Sequence, residues 1–450
     1  MKKIIILGLG PCGLGLSYRL NELGYDNWLG VEKNTLAGGL AGSFIDEYGF
    51  TWDIGGHVLF SSYPYYNNML ESNFGNMLKK VKRSAGCWQF DKFIPYPFHL
   101  NLKYLPKDVM WECLSSLIEI ATTQVTKADV DTFEEWILSR FGDGIYKHFM
   151  FPYNQKVWAY HPREMGHYWV KERIANINIS NVIKDLLFDE KMEEWGPNSF
   201  FQYPIKGGTG AVWRGLAEQL PQEKIKYNVE VVRIDTSNKT IFLSNGDIES
   251  YDILVSTLPI TKLIEKSNLL ELVPYSKNLK YSTTHAIGIG IKGVLPKTLE
   301  GKSWVYFPDG DVPFYRVTVL SNYSEYNVPG PGYYSLLCEV AESGEQPVDT
   351  ETIIGDVLHG IQKTGLINTK SEVISKWYYK APYGYPTPSI DRNDILRKIQ
   401  PALMEKDIYS RGRFGAWCYE ISNQDHTFMQ GVELANKFVE GAEEQTWKLF

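Results

Sequence analysis

The first part of the chain alternates apolar and glycine-rich segments in a way that predicts a strand, a tight turn and a helix. The apolar residues at 4–7 are long enough for a buried strand, and Pro11 suits the first turn of a helix. A further apolar segment then ends at Glu32, where the next strand of a parallel sheet is expected to stop. Three glycines stand between the first strand and the body of the helix, at Gly8, Gly10 and Gly13.

Later segments predict a helical region followed by strand-rich regions. Within residues 105–148, apolar positions recur at spacings of three and four, and Thr132 has the position of a helix cap. Short β-type runs lie at residues 229–234, 251–257, 286–292 and 315–320, and a last helix is predicted for residues 427–438. No internal repeat or low-complexity linker is present in the sequence, so the domains are expected to be discontinuous.

Composition adds limits to this pattern. A chain of 450 residues is long enough for two or three domains, and 44% hydrophobic with 22% charged residues is typical of a soluble globular protein. The net charge of -7 does not favour nucleic acid or an anionic membrane, and no apolar run is long enough to span a membrane. Five cysteines without metal-ligand spacing predict no metal and no disulfide framework, and they favour a cytoplasmic location.

The glycines of the first segment have the chemistry of a dinucleotide site. The first permits a tight turn, the second lets the backbone approach a pyrophosphate, and the third lets the helix pack closely on the strand. Glu32 is about 20 residues further on, where a carboxylate can accept hydrogen bonds from a ribose diol. Gly38 and Gly39 in the following loop can approach the same pyrophosphate, and this second pair favours FAD as the resident cofactor.

A series of sequence blocks resembles the UDP-galactopyranose mutases, and in particular their eukaryotic-type branch. The blocks keep the order of that family over nearly the whole chain. They are residues 50–61 (FTWDIGGHVLFS), 152–158 (PYNQKVW), 207–210 (GGTG), 304–308 (WVYFP), 313–316 (PFYR), 321–324 (SNYS), 384–388 (GYPTP) and 410–426 (SRGRFGAWCYEISNQDH).

The resemblance implies an α/β fold, with a Rossmann-like FAD-binding domain, an inserted helical domain and a mixed or antiparallel β-sheet domain. The FAD-binding domain is expected from residues 1–80, 206–266 and 400–450. The helical substrate domain is expected at residues 106–200, and the β-sheet substrate domain from residues 81–105 and 267–399.

The resemblance also implies a reaction, which interconverts UDP-galactopyranose and UDP-galactofuranose without net redox change. In this family N5 of reduced FAD attacks the anomeric carbon, UDP departs, and the sugar ring closes again through a different hydroxyl. Arg173 and Arg316 match the arginines that contact the diphosphate, a task that suits a permanently charged guanidinium. The resemblance implies NADPH or NADH as the transient reductant. Whether the protein forms a homo-oligomer stays open.

The glycine motif and the family resemblance together give the expected site residues. The catalytic set is His57, Arg173, Arg316, Tyr385 and Tyr419. The substrate-binding set is Tyr96, Phe98, His99, Asn154, Trp158, Asn198, Trp304, Tyr306, Tyr323 and Asn423, of which Asn198 belongs to a flap over the substrate. The FAD-binding set is Gly8, Gly10, Pro11, Cys12, Gly13, Glu32, Lys33, Gly38, Gly39, Leu40, Gly56, His57, Val231, Arg413, Asn423 and Gln424.

Two positions depart from the family pattern. His99 stands where the family usually has a glutamine that helps to recognise uracil, and Cys418 replaces a basic residue beside Tyr419. A mutase acting on a different nucleotide sugar therefore stays open as an alternative. An amine-oxidase-like FAD oxidoreductase and a flavin protein without turnover stay open as well, although the paired arginines speak against both.

Overall fold

The computed structural model describes residues 1–122, 130–170, 173–188 and 199–449. The strands are β1 Ile4–Leu7, β2 Trp28–Val31, β3 Ser43–Ile45, β4 Thr51–Asp53, β5 Leu78–Lys82, β6 Ala85–Gln89, β7 Lys92–Pro95, β8 Phe200–Pro204, β9 Ile225–Lys226, β10 Val231–Asp235, β11 Thr240–Leu243, β12 Ile248–Ser250, β13 Ile253–Ser256, β14 Tyr281–Lys292, β15 Trp304–Tyr306, β16 Arg316–Val319, β17 Tyr333–Glu342, β18 Glu372–Pro386 and β19 Ile408–Ser410.

The helices account for the remaining regular structure of the described residues, apart from short 3-10 turns and a π-helical turn at Tyr146–Met150. They are α1 Pro11–Glu22, α2 Pro64–Phe74, α3 Lys107–Thr122, α4 Phe133–Ile145, α5 Phe151–Trp158, α6 Ile179–Phe188, α7 Gly210–Glu218, α8 Ile260–Glu265, α9 Val273–Ser276, α10 Leu320–Tyr323, α11 Ile353–Lys363, α12 Arg392–Met404 and α13 Gln424–Glu440.

A five-stranded parallel sheet forms the centre of the cofactor fold. Its strand order is β19-β13-β1-β2-β9, and β1 is completely buried between two layers. Strands buried on both faces require continuous apolar runs, which explains the sequence of residues 4–7. One face packs on α1, α7 and α13, and the other packs on the β10-β11-β12 sheet with α8 and α12.

Helices α1 and α13 approach closely because each presents a glycine to the other. A Cβ built on Gly15 would lie 2.2 Å from the carbonyl oxygen of Phe428, and one on Gly431 would lie 2.0 Å from that of Cys12. No side chain fits at either position. The close contact fixes the N-terminal ends of both helices beside the carboxyl edge of the parallel sheet.

A seven-stranded mixed sheet forms the second layer, in the order β18-β14-β17-β16-β15-β6-β7. Only the β15–β6 pair is parallel in it. Successive side chains of a strand point to opposite faces. Val317 and Cys338 accordingly pack in the apolar core with α11, whereas their neighbours Arg316 and Glu339 face the central cavity.

The helical region has its own apolar core around α3, α4 and α5. Helix α4 begins with the predicted cap: the Thr132 hydroxyl accepts from the Glu135 backbone N–H, and the Glu135 carboxylate accepts from the Thr132 N–H. This reciprocal pair satisfies donors that a helix start leaves unpaired. The predicted final helix is also present, although it starts three residues earlier, at Gln424.

The predicted α/β fold class is confirmed, and the predicted strands at 229–234, 251–257, 286–292 and 315–320 correspond to β10, β13, β14 and β16. Strands of the parallel sheet come from both ends and the middle of the chain. The domain boundaries given above stay predictions. Within the described residues, no helix has both the length and the apolar character that a bilayer crossing requires.

Candidate active site

A cavity of about 1330 Å³ runs from the carboxyl edge of the parallel sheet to the helical region. Its first part is lined by the turn after β1 and by the end of β2. Its second part is lined by α5, the cavity face of the seven-stranded sheet and the segment before α13. The two parts are continuous, so a bound dinucleotide and a second ligand can meet inside one enclosure.

Glycine geometry builds the first part of the cavity. Gly8 has a φ of +88°, and a Cβ on Gly13 would lie 2.0 Å from the Gly8 carbonyl oxygen. The second glycine loop meets the first: a Cβ on Gly39 would lie 3.4 Å from the Gly10 Cα. The N-terminal end of α1 therefore borders a narrow backbone cradle, where N–H groups and the helix dipole favour an anion.

Glu32 closes the far side of this cradle. Its carboxylate accepts from the Leu9 N–H at 2.8 Å and from the Asn34 N–H at 2.9 Å, and the residue is buried. Burial raises the pKa of Glu32, while the two N–H donors oppose that shift. The carboxylate is thus held in place at the end of β2, with cavity space beside it.

Arginines concentrate positive charge in the second part of the cavity. Arg173 donates from Nη2 to the carbonyl oxygens of Tyr419 at 3.3 Å and Glu420 at 3.0 Å, and its guanidinium lies 4.5 Å from the centre of the Tyr419 ring. Arg413 donates from Nε to the Gly384 carbonyl at 2.9 Å, and it lies 4.8 Å from the centre of the Tyr385 ring. Both guanidinium groups are oriented by backbone carbonyls and an aromatic face.

The third arginine, Arg316, has a carboxylate partner. Its Nε lies 2.5 Å from one oxygen of Glu339, and its Nη2 lies 2.7 Å from the other. Glu339 is buried and also accepts from the hydroxyl of Tyr315 at 3.2 Å. Because the pair uses only one edge of the guanidinium, the Nη1 group is not committed to Glu339. Glu339 is not among the site residues expected from the sequence, although a charged residue within the apolar strand at 336–341 is a usable signal.

Aromatic side chains enclose the space between the arginines. Trp158 packs edge-on against Tyr419, with ring centres 4.7 Å apart, and Tyr385 lies 5.8 Å from both. On the neighbouring wall, Tyr306 lies 5.0 Å from Tyr96 by ring centres. Such walls can hold a sugar and a planar base while keeping water out.

His57 lies where the two parts of the cavity join, in the loop after β4. Burial lowers the pKa of its ring to about 4, against the opposing charge of Glu339. The ring is therefore neutral near pH 7. Its Nδ1 is buried and has no hydrogen-bond partner among the described residues.

Comparison with known proteins agrees with this geometry. Residues 12–433 match the family described as flavin containing amine oxidoreductase. A solved structure of reduced UDP-galactopyranose mutase is 43% identical in sequence, with a TM-score of 0.96, and the match covers 99% of this chain and 97% of that one. The chain belongs to the UDP-galactopyranose mutase family.

More distant structures share only the fold with this member of the mutase family. A putative protoporphyrinogen oxidase from Exiguobacterium sp. 255-15 is 15% identical, with a TM-score of 0.74, over 98% of this chain and 99% of that one. A putrescine oxidase variant is 13% identical, with a TM-score of 0.67, over 98% and 99%. Both the family match and the mutase structure support FAD as the cofactor.

Most of the predicted site residues of this mutase-family chain line the cavity. They are Gly8, Gly10, Pro11, Cys12, Glu32, Lys33, Gly39, Leu40, Gly56, His57, Tyr96, His99, Asn154, Trp158, Arg173, Val231, Trp304, Tyr306, Arg316, Tyr385, Arg413, Tyr419, Asn423 and Gln424. Asn198 lies outside the described residues. Gly13 and Gly38 lie behind the cradle, where Gly13 allows helix α1 to pack and Gly38 has a φ of +118° in its loop.

Two residues predicted to contact the substrate do not line the cavity. Phe98 is fully buried and stacks on Phe149, with ring centres 4.7 Å apart, so it supports the cavity wall from behind. Tyr323 is also fully buried and packs against Phe201 and Tyr203 in an apolar core. In both cases the aromatic residue serves packing, which a sequence resemblance cannot distinguish from ligand contact.

Proposed function

We propose that this protein is a flavin-dependent isomerase that interconverts UDP-galactopyranose and UDP-galactofuranose. The observation that carries the proposal is the continuity of the cavity from a dinucleotide cradle to a cluster of three arginines. The substrate implied by such a cluster carries a diphosphate, because guanidinium groups bind phosphate oxygens with directed hydrogen bonds. The 43% identity to a UDP-galactopyranose mutase supports the choice of sugar nucleotide.

The cradle residues would hold FAD. The α1 N-terminus and the glycines at 8, 10 and 39 suit a pyrophosphate, and Glu32 suits the ribose of the adenosine half. The N-terminal end of α13, which begins after Asn423, also borders the cavity. When bound and reduced, FAD supplies an electron-rich N5 that can displace UDP from the anomeric carbon.

The arginines would hold the diphosphate as it gains negative charge on departure. Arg173 is fixed through carbonyl oxygens at 419 and 420, and Arg316 is fixed through Glu339. A guanidinium that is already oriented loses little conformational freedom when the leaving group forms. Tyr385, Tyr419 and Trp158 would enclose the sugar and restrict its access to water.

The base would lie toward Tyr96 and His99 on the wall formed by the helical region. NADPH or NADH is proposed as the reductant on the strength of the family resemblance alone. The five cysteines are free and buried, which supports the reducing cytoplasmic location proposed from the sequence.

The direct test supplies UDP-galactofuranose to purified protein with and without dithionite and separates the isomers by chromatography. Conversion only with the reduced protein is expected, without stoichiometric consumption of an oxidant. Conversion by the oxidised protein, or oxidant-dependent turnover of an amine, would reject the proposal. Arg316→Ala is expected to lower kcat/KM by about 100-fold or more while FAD stays bound, because a charged phosphate contact is lost. Arg397→Ala, at an exposed helix pair with Asp394, is the matched control.

A further inference from the structure

Lys156 makes an unusual set of contacts outside the groups used above. It belongs to α5, between the cavity residues Asn154 and Trp158. Its Nζ donates to the carbonyl oxygens of Phe307 at 2.9 Å, Asp309 at 2.8 Å and Val312 at 2.9 Å. An ammonium group has three N–H donors, so these three carbonyl oxygens use all of them.

The three carbonyls belong to the connection between β15 and β16. That connection begins after Tyr306, where β15 ends, and it leads to Arg316, where β16 begins. Tyr306 and Arg316 line one wall of the cavity, whereas Asn154 and Trp158 line the wall formed by α5. A single ammonium therefore joins the two walls from behind.

The neighbouring charges leave this ammonium without a direct carboxylate partner among the described residues. Asp309 accepts from the Gln89 amide at 2.8 Å, and Asp311 pairs with Lys363 at 2.8 Å. Burial lowers the pKa of Lys156, whereas Asp311 and Asp309 oppose that shift. The three carbonyl dipoles also favour the charged form, because only an ammonium can donate to all of them.

We propose that Lys156 is a positioning residue of the active site, which sets the separation between the α5 wall and the strand pair that carries Tyr306 and Arg316. The inference rests on the proposed mutase function. Lys156 touches neither the cradle nor the arginines. Its effect reaches the reaction through the placement of Asn154, Trp158 and Arg316, where a displacement of about 1 Å can lower a rate about 100-fold.

The test compares Lys156→Met with Lys363→Met. Both changes remove a lysine bonded to the same connection, but Lys363 and its partner Asp311 are about half exposed, and such pairs contribute little. Lys156→Met is expected to lower kcat/KM by about tenfold or more, since three carbonyl groups lose their donor. Lys363→Met is expected to stay within about twofold of wild type. FAD content and the circular dichroism spectrum of both variants should match wild type.

Chemical rescue separates positioning from a general loss of packing. Lys156→Ala leaves room for a small amine, so methylamine is expected to restore part of its kcat, whereas it should not change Lys363→Ala. UDP affinity, measured by calorimetry, gives a readout that needs no turnover. It should weaken in Lys156→Met and recover in Lys156→Ala with methylamine.

The two proposals fail in different ways. An inactive wild-type protein would reject the mutase function, whichever variant is made. An active wild type combined with equal kcat/KM values for Lys156→Met and Lys363→Met would reject only the role of Lys156. If Lys156→Met does not fold, the methylamine experiment on Lys156→Ala tests the role of Lys156 instead. The proposed role is rejected if methylamine changes neither the kcat nor the UDP affinity of Lys156→Ala.

Discussion

Arg316 and Glu339 lie directly opposite each other on neighbouring antiparallel strands, and their side chains form a two-point ion pair on the cavity face of the sheet. The pair places a negative charge behind a group that is proposed to bind a diphosphate. That charge weakens phosphate attraction but fixes the guanidinium plane. The pair therefore improves the orientation of Arg316 at the expense of its attraction for phosphate. These two effects can be measured separately.

Glu339→Gln is expected to lower kcat by about tenfold or more while UDP affinity stays the same or increases. Loss of the carboxylate frees the Arg316 guanidinium to rotate, and a charged hydrogen-bond pair of this kind contributes about 1.5–3 kcal/mol. The removed negative charge at the same time favours the anionic ligand. Steady-state kinetics and UDP titration measure the two quantities.

Glu342→Gln is the control for that change, since Glu342 ends the same strand and pairs with His285 and Lys380, neither of which lines the cavity. Glu342→Gln should leave kcat and UDP affinity unchanged. A parallel loss of UDP affinity and kcat in Glu339→Gln would contradict this expectation and show that the orientation of Arg316 matters as much for binding UDP as for turnover. A gain in UDP affinity with unchanged kcat would show that Glu339 acts through its charge alone.

Gly13→Ala is expected to lose FAD. Its new methyl group would lie 2.0 Å from the Gly8 carbonyl oxygen, so helix α1 must move away from the turn that forms the cradle. Overpacking of this kind costs about 1–3 kcal/mol or more. The flavin-to-protein absorbance ratio and the thermal midpoint of the purified protein measure the effect.

Gly355→Ala gives the opposite expectation, because Gly355 lies in α11 with nothing within 4 Å of an added Cβ. It should retain FAD and gain about 0.5–1 kcal/mol, since alanine loses less backbone entropy in a helix. Full flavin retention by Gly13→Ala would contradict the contact described at the turn.

His99 is expected to favour a uracil nucleotide over a cytosine nucleotide. Its Nε2 lies 3.0 Å from the Ala175 carbonyl oxygen, which can only accept, so Nε2 carries the proton and Nδ1 is the acceptor. Nδ1 has no partner among the described residues. His99 lines the cavity, and when a bound nucleotide uncovers the buried Nδ1, this acceptor suits the N3–H of uracil and repels the N3 lone pair of cytosine.

Calorimetric titration with UDP and CDP measures this preference, for which we expect a ratio of about tenfold or more. His99→Leu should reduce the ratio toward one by weakening UDP binding, and N3-methyl-UDP should bind the wild type poorly. Equal affinities of wild type and His99→Leu for UDP would place the base elsewhere.

Acid stability should also depend on His99. Burial lowers the pKa of its ring to about 4, against the hydrogen bond to Ala175, whereas the unfolded chain keeps the ordinary value of 6.5. Between these values the unfolded state binds more protons, so the contribution of His99 is complete above pH 6.5 and is lost as the pH falls toward 4. The loss reaches about 3 kcal/mol.

His99→Gln carries no titrating group in this range, so its urea midpoint should fall less steeply than that of wild type between pH 6.5 and 4.5. The comparison uses FAD-loaded protein at constant ionic strength. Identical slopes for the two proteins would show that the His99 ring is protonated or accessible in the folded state.

Local chemistry made the cofactor half of this protein predictable. A strand buried on both faces must be apolar throughout, and a glycine is needed at position 13 because an added Cβ would lie 2.0 Å from the Gly8 carbonyl oxygen. In the helical region, Thr132 and Glu135 likewise cap a helix through residues three apart. These constraints act within a few residues of the chain. They can therefore be recognised in the sequence without any knowledge of the fold.

Tertiary structure alone decided which side chains face the cavity and which stand behind it. The family resemblance predicts that Phe98 and Tyr323 contact the substrate, yet both are buried in packing clusters, while Glu339 and Lys156 acquire their roles from partners far away in the sequence. A strand's alternation fixes which residues share a face, but it does not say which face the cavity adjoins. That choice depends on how sheets and helices pack together, and packing is a property of the whole folded chain.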